Sequence, residues 1–307
     1  MRRAWADVRD DLADDIDGLL REVERRGAAS ANQVYRLDRL VTFREHAQTR
    51  VTAFARQAHR DTVTLVDWAA GYGADTASAL LEGTAASIGY QLTRPSEAAI
   101  REMVGRVRYG GAASRFTTIP ATAVEAAERH LISGIAGGVN PRRIAAAMRQ
   151  SMDVSVYNAQ RIARTETMTA YRSAALAGYQ ANRGLVQAWR WEASLDDRCC
   201  PICWAMDGSE WPVDVPFDTH VNCRCSPVPV LVPWSELGYN SPEAAEVVAR
   251  ESGAARFARL SPEEQARILG PGRAAAYSNG VPLSDMVQTT SDPYWGGGRS
   301  LIPIRQL

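Results

Sequence analysis

The sequence predicts a mainly α protein. It reads as an elongated helical N-terminal region, a small α+β module rich in cysteine, and a short helical C-terminal tail. Three observations lead there. Apolar residues recur at steps of three and four over long stretches, the spacing of one helix face. Alanine, the strongest helix former, is abundant throughout. All five cysteines (Cys199, Cys200, Cys203, Cys223 and Cys225) fall within one short window in which the helical spacing lapses.

Residues 1–30 carry Trp5, Val8, Leu12, Ile16, Leu19, Leu20 and Val23 on one stripe, with Gly27 as a stop. A second stripe runs through Val34, Leu37, Leu40, Val41, Val51, Phe54, Leu65 and Trp68. It fits one long helix or two with a break near Thr49, and Gly71 and Gly73 read as its end. Shorter helices are expected over 75–90 and, after Pro95, over 96–108, with a loop at Gly110-Gly111. Val124, Leu131, Ile132 and Ile135 mark the next helix. Asn140-Pro141 starts another, an asparagine cap before a first-turn proline. A further helix is expected from Ser155 through Tyr179, stopped at Asn182-Arg183-Gly184.

From Leu185 the pattern becomes extended. Val186–Trp191 reads as a strand with Trp189 and Trp191 on one face, and Val228–Val232 as an edge strand, because Pro229 cannot donate to a central ladder. After Pro233 helices return, with a capping box at Ser261-Pro262-Glu263-Glu264 and a break at Gly270-Pro271-Gly272. Tyr294–Gly298 reads as loop. The expected division is 1–115, 116–232 (helices 120–184, cysteine module 185–232) and 233–307.

Composition narrows the function. The chain has 307 residues with 35 basic and 35 acidic side chains, so bulk charge makes no case for a strongly basic nucleic-acid binder. Every basic side chain is arginine, and twelve arginines face six acids between Arg94 and Arg172, a locally basic but aromatic-poor stretch. No run of about 18 apolar residues suggests a membrane span, and the N-terminus has no secretory pattern, so a cytoplasmic origin is expected. No GxGxxG, Walker, GxSxG or HExxH motif is present.

Clustered cysteines in a reducing compartment point to a metal rather than a disulfide framework. Cys200 and Cys203 form C-x2-C, and His220 and Cys223 form H-x2-C. Two such pairs brought together make a closed tetrahedron of sulfur and nitrogen suited to structural Zn2+. The expected ligands are Cys200, Cys203, His220 and Cys223, with Cys225 as substitute for Cys223 and Cys199 as spectator. His46, His59 and His130 sit on helical patterns as surface or core-edge residues. Arg161, Arg164, Glu166 and Arg172 on one helix read as a salt-bridge face. Trp189, Trp191, Trp204 and Trp211 supply core to a module short of it. A treble-clef nuclease using Asp218 and His220 is the enzymatic alternative, although its only histidine is already claimed by zinc. A zinc-finger regulator binding DNA through the 94–172 arginines is a third reading.

The order Ile162-Ala163-Arg164-Thr165-Glu166-Thr167, then Gly178-Tyr179, Trp189, Asp196-Asp197-Arg198-x-Cys200-Pro201-Ile202-Cys203, Asp207-Gly208 and His220-Val221-Asn222-Cys223-Arg224-Cys225 resembles the phage Mu F-like family of minor head, or head-morphogenesis, proteins. The resemblance covers about 125–230, and Leu269–Gly280 is similar to a tail that many members carry. It implies a non-enzymatic structural component of a tailed-phage virion, made in the host cytoplasm. Such a protein associates with the portal protein and major capsid protein, possesses no small-molecule substrate or membrane association, and acts in head assembly and in packaging or ejection of DNA. The family's Cys/His positions fall on Cys200, Cys203, His220, Cys223 and Cys225. Cys199 stands where a threonine is common, which favours Cys200 as the ligand. Arg164 and Glu166 fall on the family's helical signature.

Overall fold

The computed structural model describes residues 1–26, 38–100, 102, 115–137, 139–238, 251–292 and 295–307. It is mainly helical with two small sheets. The helices are α1 (Arg2–Arg26), α2 (Asp38–Ser87), α3 (Ile119–Ala136), α4 (Pro141–Ala181), α5 (Pro201–Met206), α6 (Gly253–Ala258), α7 (Pro262–Leu269) and α8 (Pro271–Ser278). The strands are β1 (Val186–Glu192), β2 (Glu210–Pro212), β3 (Ser226–Leu231), β4 (Val287–Asp292) and β5 (Gly296–Leu301). Among the described residues no helix is long and apolar enough to cross a membrane.

The chain forms two compact units, each drawn from two stretches: Met1–Leu65 with Val107–Glu166, and Val66–Arg106 with Thr167–Leu307. In the first, the whole α1 stripe from Trp5 to Val23 is buried, as its spacing predicts. Its core is completed by Leu40, Phe43, Val51 and Phe54 of α2, Leu131 of α3, and Ile144, Met148 and Met152 of α4. Trp5 stacks edge-on against Phe54, and its indole N–H donates to Asp153 at 2.7 Å. Arg115 pairs with buried Glu166, so the partner of the signature glutamate is Arg115, while Arg164 is exposed.

The second unit corrects the glycine reading. α2 runs unbroken past Thr49 and through Gly71 and Gly73 to Ser87, taking in the separate helix expected over 75–90. Gly73 does not break the helix because its missing Cβ serves packing: a Cβ there would stand 2.2 Å from the Tyr171 carbonyl oxygen of α4. A Cβ on Gly178 of α4 would stand 2.7 Å from the Ala77 Cβ of α2. The real terminator is Gly89, whose φ of +66° costs an L side chain more than it costs glycine. Of the helix expected over 96–108, residues 97–100 and 102 are helical, entered through a Ser96 hydroxyl cap, and the remainder lies outside the described residues, as do Gly27 and Gly110-Gly111.

α4 is likewise a single helix of 41 residues rather than two. No glycine or proline interrupts it between Pro141 and Gly178, so nothing breaks its backbone ladder at Ser155. It starts as expected, the Asn140 side chain accepting from the Arg142 N–H at 2.9 Å, and ends at Ala181 before Asn182. The Asn182 side chain then ties the Gly178 carbonyl to the backbone of Thr93.

The first sheet has the order β2-β1-β3, all antiparallel, with Trp189 opposite Trp211 on one side and Pro229 on the other. β3 is therefore an edge strand, as Pro229 requires. Trp189 and Trp191 both face the core and both contact Phe217, with ring centroids 5.0 and 4.2 Å away. They do not form an isolated mini-core. They join Leu81, Leu176 and Tyr179 of the long helices and Phe257, Leu283 and Met286 of the C-terminal elements in one cluster.

The C-terminal tail is not wholly helical. α7 forms both halves of the Ser261–Glu264 capping box read from the sequence, and the break at Gly270-Pro271-Gly272 separates it from α8, while α6 is capped by Ser252. Residues 296–298 then lie in β5 of the β4–β5 hairpin rather than in a loop; Tyr294 lies outside the described residues. The glycines make this strand possible, because a Cβ on Gly298 would stand 2.5 Å from the Thr219 carbonyl oxygen.

Candidate metal centre

The Cys200–Cys203 pair straddles the start of α5. Cys200 is the N-cap, with extended backbone, and Pro201 opens the first turn. One turn of helix brings Cys203 back beneath Cys200, their sulfurs 3.5 Å apart. The second pair sits between β2 and β3. Asn222 adopts φ +67°, a left-handed conformation that asparagine tolerates, and closes a turn in which the Cys223 N–H donates to the His220 carbonyl at 3.3 Å.

These turns converge. His220 Nε2 lies 3.1 Å from Cys200 Sγ and 3.2 Å from Cys203 Sγ, and Cys223 Sγ lies 3.8 Å from Cys203 Sγ. Two overlapping groups of donor atoms, each within 4.8 Å of one another, share Cys203: Cys200–Cys203–His220 and Cys203–Cys223–Cys225. Ligands about 2.3 Å (sulfur) and 2.0 Å (nitrogen) from one tetrahedral zinc would stand roughly 3.5–3.8 Å apart. The separations lie within about half an ångström of that spacing. The residues around these donors line a cavity of about 30 Å3, above the ~15 Å3 that a single water needs.

His220 is oriented for the purpose. Its Nδ1 lies 2.9 Å from the Val221 carbonyl. A carbonyl only accepts, so Nδ1 carries the proton and Nε2 is the nitrogen presented to the sulfurs. Cys225 lies close to Trp191, which favours its thiolate.

The electrostatics describe crowded thiols. The hydrogen bond with Cys203 outweighs burial and, with His220, brings Cys200 down to about 5. Cys203 is pushed up by its contacts with Cys199, Cys200, Cys223 and Cys225, whereas Cys223 is pushed down by contacts with Cys203 and Cys225. Burial opposes the imidazolium of His220, but hydrogen bonds and charges from Cys200 and Cys223 prevail and hold it at about 10. A bound cation would let several such sulfurs be thiolates together.

Two supports were not legible in the sequence. Arg172 is buried on α4. Its Nε donates to the Cys225 carbonyl at 2.8 Å, its Nη2 donates to the Cys223 carbonyl at 2.9 Å, and its guanidinium lies 5.0 Å from the Phe217 ring centre. It thus parts from exposed Arg161 and Arg164, with which it read as one salt-bridge face. The signal available was its register: Arg172, Leu176 and Tyr179 follow the helical spacing of a buried stripe. The second support is β5. The Arg299 N–H donates to the Thr219 carbonyl at 3.2 Å, next to His220, while the Arg299 side chain covers Trp211. Asp218 is exposed, its charge opposes the lowering of the Arg299 pKa, and it belongs to neither donor group. His46 and His59 are half-buried and His130 is exposed, all three in the helical unit away from the cysteine window in sequence.

Residues 125–228 match the family described as Phage Mu protein F like protein. The match supports the phage Mu F-like assignment carried by the sequence motifs. The Mu F-like stretch contains all five cysteines, His220 and Arg172, and ends within β3. No significant match was found among curated proteins or solved structures.

Proposed function

We propose that this chain is a structural head-morphogenesis protein of a tailed bacteriophage, a minor component of the virion rather than an enzyme. The observation that carries the reading is the coincidence of the Mu F-like match with two overlapping groups of Cys/His donors that share Cys203. Cys200, Cys203, His220 and Cys223 are the proposed ligands of one structural Zn2+, with Cys225 as the substitute for Cys223. Four ligands fill a tetrahedral set, the arrangement of a zinc that stabilises a fold rather than one that keeps a position open for substrate. The zinc would fasten the loop before β3 to the start of α5 and stiffen a small sheet.

The proposed partners are the portal protein and the major capsid protein, with residues 1–115 making the portal contact, and packaged DNA as a neighbour during packaging or ejection. The protein is assembled in the host cytoplasm. The test is cross-linking and mass spectrometry of purified particles carrying the full-length chain. Cross-links from the N-terminal helices to portal are expected; a chain absent from mature and immature heads alike would overturn the assignment.

A further inference from the structure

We propose that Arg172 is the counter-ion and positioning residue of the metal centre, an inference that rests on the metal reading above. The side chain is 3% exposed. A buried guanidinium without an opposite charge is costly, yet among the described residues no carboxylate forms an ion pair with Arg172. Its donors turn instead to the carbonyls of Cys223 and Cys225, and Phe217 covers its face. Phe217 is itself packed on Trp189 and Trp191, so water is kept from that side.

The opposite charge is supplied by the sulfurs. Three thiolates and one neutral imidazole around a dication sum to a single negative charge, which one guanidinium balances. Four thiolates would leave one negative charge in excess beside the same arginine. Arg172 therefore favours the ligand set that includes His220. The two carbonyl contacts give it a second task. Cys223 and Cys225 flank Arg224, and the carbonyls of both accept from the one guanidinium of Arg172. A planar guanidinium spanning both carbonyls fixes their placement, and with it the direction in which Cys223 faces Cys203.

The experiment uses the full-length protein and three variants: Arg172→Met, which removes the charge and both donors at similar volume; Arg172→Lys, which keeps the charge but lacks the planar two-nitrogen fork; and Leu176→Ala, which weakens the same helix and core but removes no donor atom or hydrogen bond of the centre. Zinc affinity is measured by competition with a chromophoric chelator, ligand geometry by the absorption of the cobalt(II)-substituted protein, and folding by far-UV circular dichroism. Arg172→Met is expected to lose about 10–100-fold in zinc affinity, the usual effect of removing a group that holds a metal ligand, with shifted cobalt bands. Arg172→Lys is expected to recover part of the affinity, still with shifted bands. Leu176→Ala is expected to keep both readouts.

Wild-type affinity and spectrum in Arg172→Met would overturn the proposal, as would an equal loss in Leu176→Ala. If Arg172→Met does not fold, Arg172→Lys decides, and wild-type values in both readouts overturn the positioning role. A wild-type protein that takes up neither zinc nor cobalt would instead sink the metal reading itself.

Discussion

Gly71 and Gly73 stand two residues apart on α2, and their surroundings assign them opposite responses to alanine. At Gly71 an added Cβ meets nothing within 4 Å. The substitution then gains only the difference in helix propensity, about 1 kcal/mol in favour of alanine. At Gly73 the Cβ would lie 2.2 Å from the carbonyl oxygen of Tyr171 and 3.0 Å from its carbonyl carbon. Unbonded heavy atoms settle near 3.5 Å, so the α4 backbone would have to retreat by roughly 1 Å. Backbone cannot rotate out of the way as a side chain can. The same crossing also carries the Gly178–Ala77 approach, which would loosen with it. Overpacking of this kind costs about 1–3 kcal/mol. The obstacle places Gly73→Ala toward the upper end, and subtracting the propensity gain leaves a net loss of about 2 kcal/mol. Urea unfolding followed by circular dichroism reads both signs. The midpoint should rise for Gly71→Ala and fall for Gly73→Ala, with unchanged slopes. A Gly73→Ala protein as stable as wild type would refute the close approach of the two helices.

Three further outcomes are expected. Elemental analysis of the purified protein should find zinc in the ratio of about one per chain, and its removal by chelator or acid, which protonates the ligands, should lower the melting temperature and alter the near-UV tryptophan signal; a metal-free protein with an unchanged melt contradicts this. Gly298→Val drives a side chain into the Thr219 carbonyl, 2.5 Å from the Cβ position, and should cost about 1–3 kcal/mol in denaturant unfolding, with Trp211 fluorescence reporting loss of the Arg299 contact. Ser261→Ala removes the hydroxyl that accepts the Glu264 N–H at 3.3 Å and should cost about 1 kcal/mol of stability; no change would mean that α7 owes nothing to its cap.

The sequence alone determined what depends on near neighbours in the chain. The α1 stripe, the Asn140-Pro141 start, the Ser261 cap and the edge strand at Pro229 all follow from side-chain period or backbone chemistry within a few residues. So did the presence of a Cys/His cluster, because C-x2-C brings Cys200 and Cys203 together within a single turn and His220, Cys223 and Cys225 lie within six residues of one another. Spacing did not choose between Cys223 and Cys225, since residues two apart in extended chain share a side. What the tertiary structure decided were the long-range approaches. Gly73 and Gly298 read locally as a break and a loop, yet each lies where another segment's carbonyl comes too close for a side chain. Arg172 read as one more charge on a helix, and it became a buried clamp because the loop that receives its hydrogen bonds arrives some fifty residues later. A local pattern reports a residue's own conformational preference; it carries no record of which distant backbone will be packed against it.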